Sequence, residues 1–255
     1  MPRLSDREWD KVDAVFNRFS GGDGKWVIRN KKILQGYTIE IEEIPFIVKP
    51  TDFGHLGIFP EQMENWVKIG KLISVLSKNI KEFNVLNLFA YTGGATMAAA
   101  ISGAKVVHVD ASKTSVEWAK KNVELCGRDN FFIRWIVDDV KKFVSREIRK
   151  GSKYHGIILD PPSFGRGTKN ELWKIEEDLN DLLFSLGKLF AEDFSFLLLS
   201  SHSNGYTPEA LKNLVCQVTG KYSGYYDLGE MLLCEKDHER SLPSGASCLF
   251  IREIS

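Results

Sequence analysis

From Phe83 onward, short apolar runs alternate with segments in which apolar residues recur at helical spacing. The runs Val85–Phe89, Val106–Asp110, Phe131–Val137, Gly156–Asp160, Phe194–Ser200, Tyr225–Leu228 and Ser247–Arg252 read as strands. Helical spacing between them predicts a doubly wound, mostly parallel α/β sheet of about seven strands. The helix after Asp110 shows the pattern in detail. Ser112 or Thr114 can cap it, Thr114 and Glu117 have capping-box spacing, and Val116, Ala119, Val123 and Cys126 form one apolar stripe. Gly127 then supplies the left-handed residue that ends helices. The stretch from Trp66 to Ile80 has the same periodicity and reads as a core helix. The earlier segment "KWVIRNKKILQGYTIEIEEIPFIVKP" alternates around Gly36 and Pro45 and predicts a small β appendage of two or more strands. Residues 1–64 are therefore expected to stand apart from an α/β domain at 65–255.

Composition narrows the class. The chain has 255 residues, 43% of them hydrophobic, as in ordinary globular proteins. Its 34 basic residues balance 34 acidic ones, unlike a protein that grips nucleic acid strongly on its own. The N-terminus "MPRLSDREWD" lacks an apolar leader core, and no apolar stretch approaches the roughly 20 residues that span a bilayer. A cytoplasmic protein without membrane contact is expected. Cys126, Cys216, Cys234 and Cys248 are scattered, with no CxxC pair and no His at metal-ligand spacing. No metal site is expected, and buried small hydrophobes are the expected role of all four cysteines.

Four segments at strand ends carry candidate chemistry. In "VLNLFAYTGGATMAAA", Gly93-Gly94 joins a strand to an apolar helix, where backbone N–H groups face the strand ends. A dinucleotide loop needs three closely spaced glycines; two glycines beside an aromatic suit a flatter, less charged ligand, and a plain turn is the alternative. Asp110 ends the next strand, placed to accept two ribose hydroxyls or merely to cap a helix. Asp138 and Asp139 follow the third strand, as acceptors for an exocyclic amine or as carboxylates stabilised at a helix start. In "GIILDPPSFGRG", Pro161 and Pro162 remove two N–H donors and leave carbonyls, the Asp160 carboxylate and the Phe164 ring. Acceptors without donors suit a flat group that bears N–H protons or develops positive charge.

These motifs, in this order and spacing, resemble class I S-adenosylmethionine-dependent methyltransferases. More narrowly, they resemble the bacterial family of the large-subunit ribosomal RNA cytosine-C5 methyltransferase. The resemblance runs from "HLGIFPEQMENW" to Ser201. It implies a Rossmann-like methyltransferase sheet, S-adenosyl-L-methionine as cofactor and an RNA substrate. By the same resemblance Phe89, Ala90, Tyr91, Thr92 and Gly93 wrap the methionine end. Asp110 takes the ribose hydroxyls and Asp139 the adenine amine, Ser112 and Asp138 are further cofactor-binding residues, and Gly57, Phe59, Glu61 and Gln62 close over the cofactor. Asp160, Pro161 and Pro162 face the transferring methyl, and the Phe164 ring completes the catalytic set by stacking on a flat substrate.

Three departures matter. The family's N-terminal RNA-binding module is replaced by a β segment of different character, and Met63 stands where the family has Arg. The C5 enzymes also carry a cysteine nucleophile after the strand placed here at Phe194–Ser200, whereas this chain reads Ser200, Ser201, His202, Ser203. Cytosine C5 becomes nucleophilic only after a thiolate adds to C6, and a serine would need a base such as His202. The alternative for this string is a polar loop or helix cap. Transfer to nitrogen or oxygen needs no covalent step, only positioning. The expectation is methylation of RNA at a nitrogen or oxygen, with ribosomal RNA one candidate substrate. Methylation of a small molecule or protein, a non-catalytic adenosyl-cofactor module and, third, a nicotinamide oxidoreductase are the alternatives. The cluster Lys141, Lys142, Arg146, Arg149, Lys150 and Lys153 reads either as a phosphate contact or as the solvated face of a helix. Oligomeric state is left open.

Overall fold

A computed structural model describes residues 5–19, 24–128, 130–167, 171–235 and 239–253. The chain divides into two compact units, Met1–Phe59 and Pro60–Ser255. The first holds one helical turn, α1 (Asp6–Trp9), and two antiparallel hairpins. β1 (Ala14–Arg18) pairs with β2 (Gly24–Ile28), and β3 (Tyr37–Ile41) with β4 (Ile44–Val48). Glu42 and Glu43, both at positive φ (49° and 62°), close the second hairpin, as the right-handed twist of paired strands requires. Alternation then buries Ile44, Phe46 and Val48 on one face. Pro45 is tolerated because β4 pairs on one side only.

The second unit is built on seven strands: β5 (Asn84–Leu88), β6 (Lys105–Asp110), β7 (Ile133–Val137), β8 (Gly156–Leu159), β11 (Phe196–Ser201), β12 (Gly224–Cys234) and β13 (Ser241–Arg252). Their spatial order is β12-β13-β11-β8-β5-β6-β7. The five from β11 to β7 run parallel, while β13 and β12 are antiparallel. The parallel strands are apolar on both faces because helices cover both. Helices α2 (Met63–Leu76), α3 (Gly94–Ile101) and α4 (Lys113–Leu125) lie on one side. On the other, α5 (Val140–Lys150), α6 (Ile175–Leu186) and α7 (Pro208–Thr219) bury Phe143, Leu182, Leu183, Leu211 and Val215 against Leu86, Leu88, Leu197, Leu199 and Phe250. A short hairpin, β9 (Phe164–Arg166) with β10 (Leu172–Lys174), follows β8.

The seven sequence-read strands are all present. Their limits shift by a few residues, most at the last hairpin, where β12 runs on to Cys234 and β13 begins at Ser241. Pro60–Gln62 forms a 3-10 turn that leads directly into α2, so the segment before the helix belongs with the sheet. Among the described residues no helix is long and apolar enough to cross a membrane.

The chain winds outward from β5 through β6 to β7 and then returns to place β8 on the other side of β5, so the strand order reverses between β5 and β8, the point where α/β sheets bind ligands at their carboxyl ends. Gly156 holds β8 close to its neighbour: a Cβ there would lie 2.3 Å from the buried Phe196 ring. Gly156→Ala should lower stability by about 1–3 kcal/mol through overpacking. A urea-denaturation midpoint equal to that of the wild type would contradict this packing.

Candidate functional site

The turn after β5 has an unusual backbone. Phe89 and Tyr91 have φ of 54° and 47°, and Gly93 has φ of 90°. Left-handed non-glycine residues cost of order 1–3 kcal/mol each and persist only where the surroundings hold them. Here they are held. The Phe89 ring lies 4.8 Å from Trp173, and the Tyr91 N–H donates to Asp110 Oδ2 at 2.8 Å. Ala90 N donates to the Val109 carbonyl, and the Thr92 carbonyl accepts from Asn122 Nδ2. The glycines serve the fold: a Cβ on Gly94 would strike the Trp66 ring at 2.4 Å, and one on Gly93 would lie 3.0 Å from Ala119 Cβ. No side chain caps α3 at Gly93. Beneath the turn Asn87 Nδ2 donates to Thr96 Oγ1, which lies 2.9 Å from His108 Nδ1. Burial pushes His108 down to about 3, so the ring is neutral.

Asp110 ends β6 beside this turn. Its Oδ1 accepts from Ser112 N and its Oδ2 from Tyr91 N, both at 2.8 Å. Desolvation raises its carboxyl while those two bonds oppose the rise. Each oxygen keeps a further lone pair, a geometry that fits two vicinal hydroxyls. Burial, with Asp110 beside it, pushes the Tyr91 phenol up to about 12. Ser112 caps α4 by accepting from Ser115 N, so its hydroxyl serves the helix.

Asp139 is buried and caps α5, its Oδ1 accepting from Lys142 N at 2.9 Å. Asp138 accepts from Asp139 N and pairs with Arg146, which leaves Asp139 Oδ2 as the freer acceptor of the two. The basic run beyond it is largely neutralised, since Lys141 pairs with Asp178 and Lys142 with Glu171. Arg146 pairs with Asp138 and Lys150 with Glu147, so four of the six basic side chains face a carboxylate.

Asp160 follows β8 and is the hub of a second network. Gln62 Nε2 donates to Asp160 Oδ2 at 2.8 Å and to Ser200 Oγ at 2.9 Å. Ser200 Oγ donates to Asp160 Oδ1 at 2.8 Å, and Asn65 Nδ2 donates to Gln62 Oε1. His202 Nε2 lies 3.5 Å from Asp160 Oδ2, and its Nδ1 lies 3.7 Å from Glu61. The Pro162 carbonyl accepts from Trp173 Nε1, the Ser163 carbonyl from Ile175 N, and Ser163 Oγ bonds Ser203 Oγ at 2.6 Å. Pro161 lies between these anchors, and the Phe164 ring is exposed at the start of β9. Phe59 belongs to the first unit, where it packs edge-on against His55.

Asp160, Pro161, Pro162, Asp110, Asp138, Asp139 and the 89–93 turn thus gather along one carboxyl edge of the sheet. Gln62 and Glu61 lie with Asp160. Sequence reasoning missed Trp173, Asn65 and the use of Ser200. Trp173 is a lone aromatic in a three-residue strand, and no local spacing signals its partners.

A sequence profile described as S-adenosylmethionine-dependent methyltransferase matches residues 68–196. The chain is 32% identical over 163 residues to ribosomal RNA large subunit methyltransferase I of Aeromonas salmonicida, covering 63% of this chain and 39% of the relative. It is 37% identical over 139 residues to ribosomal RNA large subunit methyltransferase K of Neisseria meningitidis serogroup B, covering 54% and 37%. It thus spans less than half the length of these curated relatives. A crystal structure of the S-adenosylmethionine-dependent methyltransferase from Agrobacterium tumefaciens superposes with a TM-score of 0.90 at 32% identity, covering 99% of this chain and 81% of that one. A profile match over half the chain and one superposition over nearly all of it place this protein in the S-adenosylmethionine-dependent methyltransferase family.

Proposed function

We propose that the protein transfers a methyl group from S-adenosylmethionine to a nitrogen or oxygen of RNA, with ribosomal RNA the substrate favoured by its relatives' names. The observation that carries the heteroatom assignment is the Asp160 hub, where oxygen and nitrogen groups meet and no thiol is present. When bound, the cofactor supplies an activated methyl on a sulfonium. The chain's part is to hold and orient. The 89–93 turn and the two open lone pairs of Asp110 suit the nucleoside and its methionine tail. Asp139 Oδ2 suits the adenine amine. Asp160 and the Pro161 carbonyl offer acceptors for the protons of an attacking amine, and the exposed Phe164 ring offers a flat surface for a base.

The cysteines support transfer without a covalent intermediate. Cys248 lies within β13, where burial pushes its thiol up to about 12. Cys126 packs near Met97, and burial raises it too. Cys216 sits on α7 and Cys234 at the end of β12, both exposed. Ser200 already donates to Asp160 and accepts from Gln62, so its hydroxyl serves the hub. A second reading, methylation of a protein or small molecule, is favoured by the zero net charge and the neutralised α5 face. Radiolabelled cofactor offered to ribosomal RNA, protein extract and metabolites separates the two; label only in protein or metabolites would overturn the RNA assignment.

Three further outcomes are expected. Asp110→Ala should weaken S-adenosylhomocysteine binding by about 1.5–3 kcal/mol, because charged acceptors of hydroxyl groups contribute that much. Equal affinities by calorimetry would remove Asp110 from the cofactor site. Asp160→Asn should lower turnover by roughly 10²-fold with little change in cofactor affinity, since it acts on the substrate side. A parallel loss of binding would contradict that division. Replacing all four cysteines by Ser or Ala should leave transfer largely intact in a folded protein. A stable adduct to 5-fluorocytosine RNA through one of these sulfurs would restore a C5 mechanism.

A further inference from the structure

His202 is a titratable ring at the hub to which the reading above gives no task. Its Nδ1 lies 2.7 Å from the Ser244 carbonyl oxygen. A carbonyl only accepts, so Nδ1 carries a proton. That approach depends on Gly245: a Cβ there would lie 2.5 Å from Met231 Cε, 2.6 Å from the Ser201 carbonyl and 3.3 Å from His202 Nδ1. A register shift in the β12–β13 ladder falls at Met231 and Leu232, beside the same space.

The other nitrogen faces a carboxylate. Nε2 lies 3.5 Å from Asp160 Oδ2, and Glu61 stands 3.7 Å from Nδ1. A neutral ring protonated at Nδ1 would turn a bare lone pair on Nε2 toward Asp160. The opposition is relieved by a proton on the imidazole or on the carboxyl. Asp160 Oδ2 already accepts from Gln62 and Oδ1 from Ser200, and both donors favour the anion. Gln62 is fixed in that orientation because its Oε1 accepts from Asn65, and a flipped amide would set its oxygen against Asp160. The geometry therefore puts the second proton on His202.

We propose that His202 is a fixed imidazolium that holds the Asp160 carboxylate in its acceptor orientation at the methyl-transfer point, a positioning residue that cannot serve as the proton acceptor of the reaction. The proposal rests on the reading of Asp160 given under Proposed function. The groups facing the ring are Asp160 after β8, Glu61 before α2 and the Ser244 carbonyl on β13. Burial alone would depress the ring, but the bond to Asp160, the Ser244 carbonyl and the Glu61 charge outweigh it and push His202 up to about 9. The sign follows. The folded value lies above the ordinary 6.5, so the clamp is complete below the ordinary value and is lost as pH rises through about 9. With three donors around it, Asp160 keeps about one of its four lone-pair positions for a substrate proton.

The test follows the ring and the reaction separately. Protein labelled with nitrogen-15 in histidine is titrated by NMR, as wild type and as Asp160→Asn, with the His202 signal assigned by its absence from His202→Gln. Methyl transfer from labelled S-adenosylmethionine to total ribosomal RNA is measured across the alkaline range for wild type, His202→Gln and His202→Lys. S-adenosylhomocysteine calorimetry checks that each variant is folded and binds. The ring should titrate near 9 in the wild type and fall by at least about one unit in Asp160→Asn. His202→Gln should lose about tenfold or more in kcat at unchanged cofactor affinity and lack the alkaline fall, and the cationic His202→Lys should retain more. A ring titrating near 6.5, or a His202→Gln enzyme with full kcat and the same alkaline fall, would overturn the proposal. If the wild type labels no ribosomal RNA, the substrate reading fails, while the titration still decides the clamp.

Discussion

The second unit is organised around the carboxylate of Asp160. It accepts from Gln62, which precedes α2, and from Ser200 at the end of β11, while Asp160 itself leaves β8. Three elements distant in sequence are thereby pinned at one point of the sheet's carboxyl edge. Every group is used: both hydrogens of the Gln62 amide are donated, its oxygen accepts from Asn65, and the Ser200 hydroxyl both donates and accepts. A closed network of this kind in a half-buried place is rigid, because losing any member leaves another polar group unpaired at a cost of about 1–3 kcal/mol.

The turn after β5 is held by different means. Its left-handed residues are stabilised by Asp110 on one side and Trp173 on the other. Trp173 also binds the Pro162 carbonyl, so one indole connects the proposed cofactor turn to the proposed substrate segment. Methyl transfer depends on the mutual position of donor and acceptor to within a fraction of an ångström, and a shared anchor fixes that position more tightly than two separate ones. Trp173 is the buried residue of β10, 4% exposed, so the β9–β10 hairpin carries this side chain into the buried layer.

How far the sequence foretold this depends on where each partner lies. Strands β5, β6, β8 and β11 were legible because parallel strands buried on both faces read as apolar runs, and Asp110 and Asp160 were legible because they end such runs, as Asp139 was from its place after β7. The long β12–β13 hairpin was seen only in part, because Gly229, Pro243, Gly245 and the register shift at Met231/Leu232 break the strand pattern in its outer half. Gln62 was read as covering the cofactor, but its partners lie 98 and 138 residues away, beyond any local pattern. The two glycines suggested close approach of a ligand; the ring that needs the space at Gly94 is that of Trp66. The basic run on α5 left a phosphate contact open until Asp178 and Glu171 appeared opposite it.

The central claim is that one sheet edge holds a nucleoside-linked methyl donor between Asp110 and Asp160. A crystal structure of the protein with S-adenosylhomocysteine tests it most directly. The account predicts ribose hydroxyls on the Asp110 carboxylate, the adenine against Asp139, and the sulfur turned toward Asp160 and Pro161 with the Gln62–Asp160–Ser200 bonds intact. A ligand bound elsewhere, or one whose sulfur points away from Asp160, would contradict it.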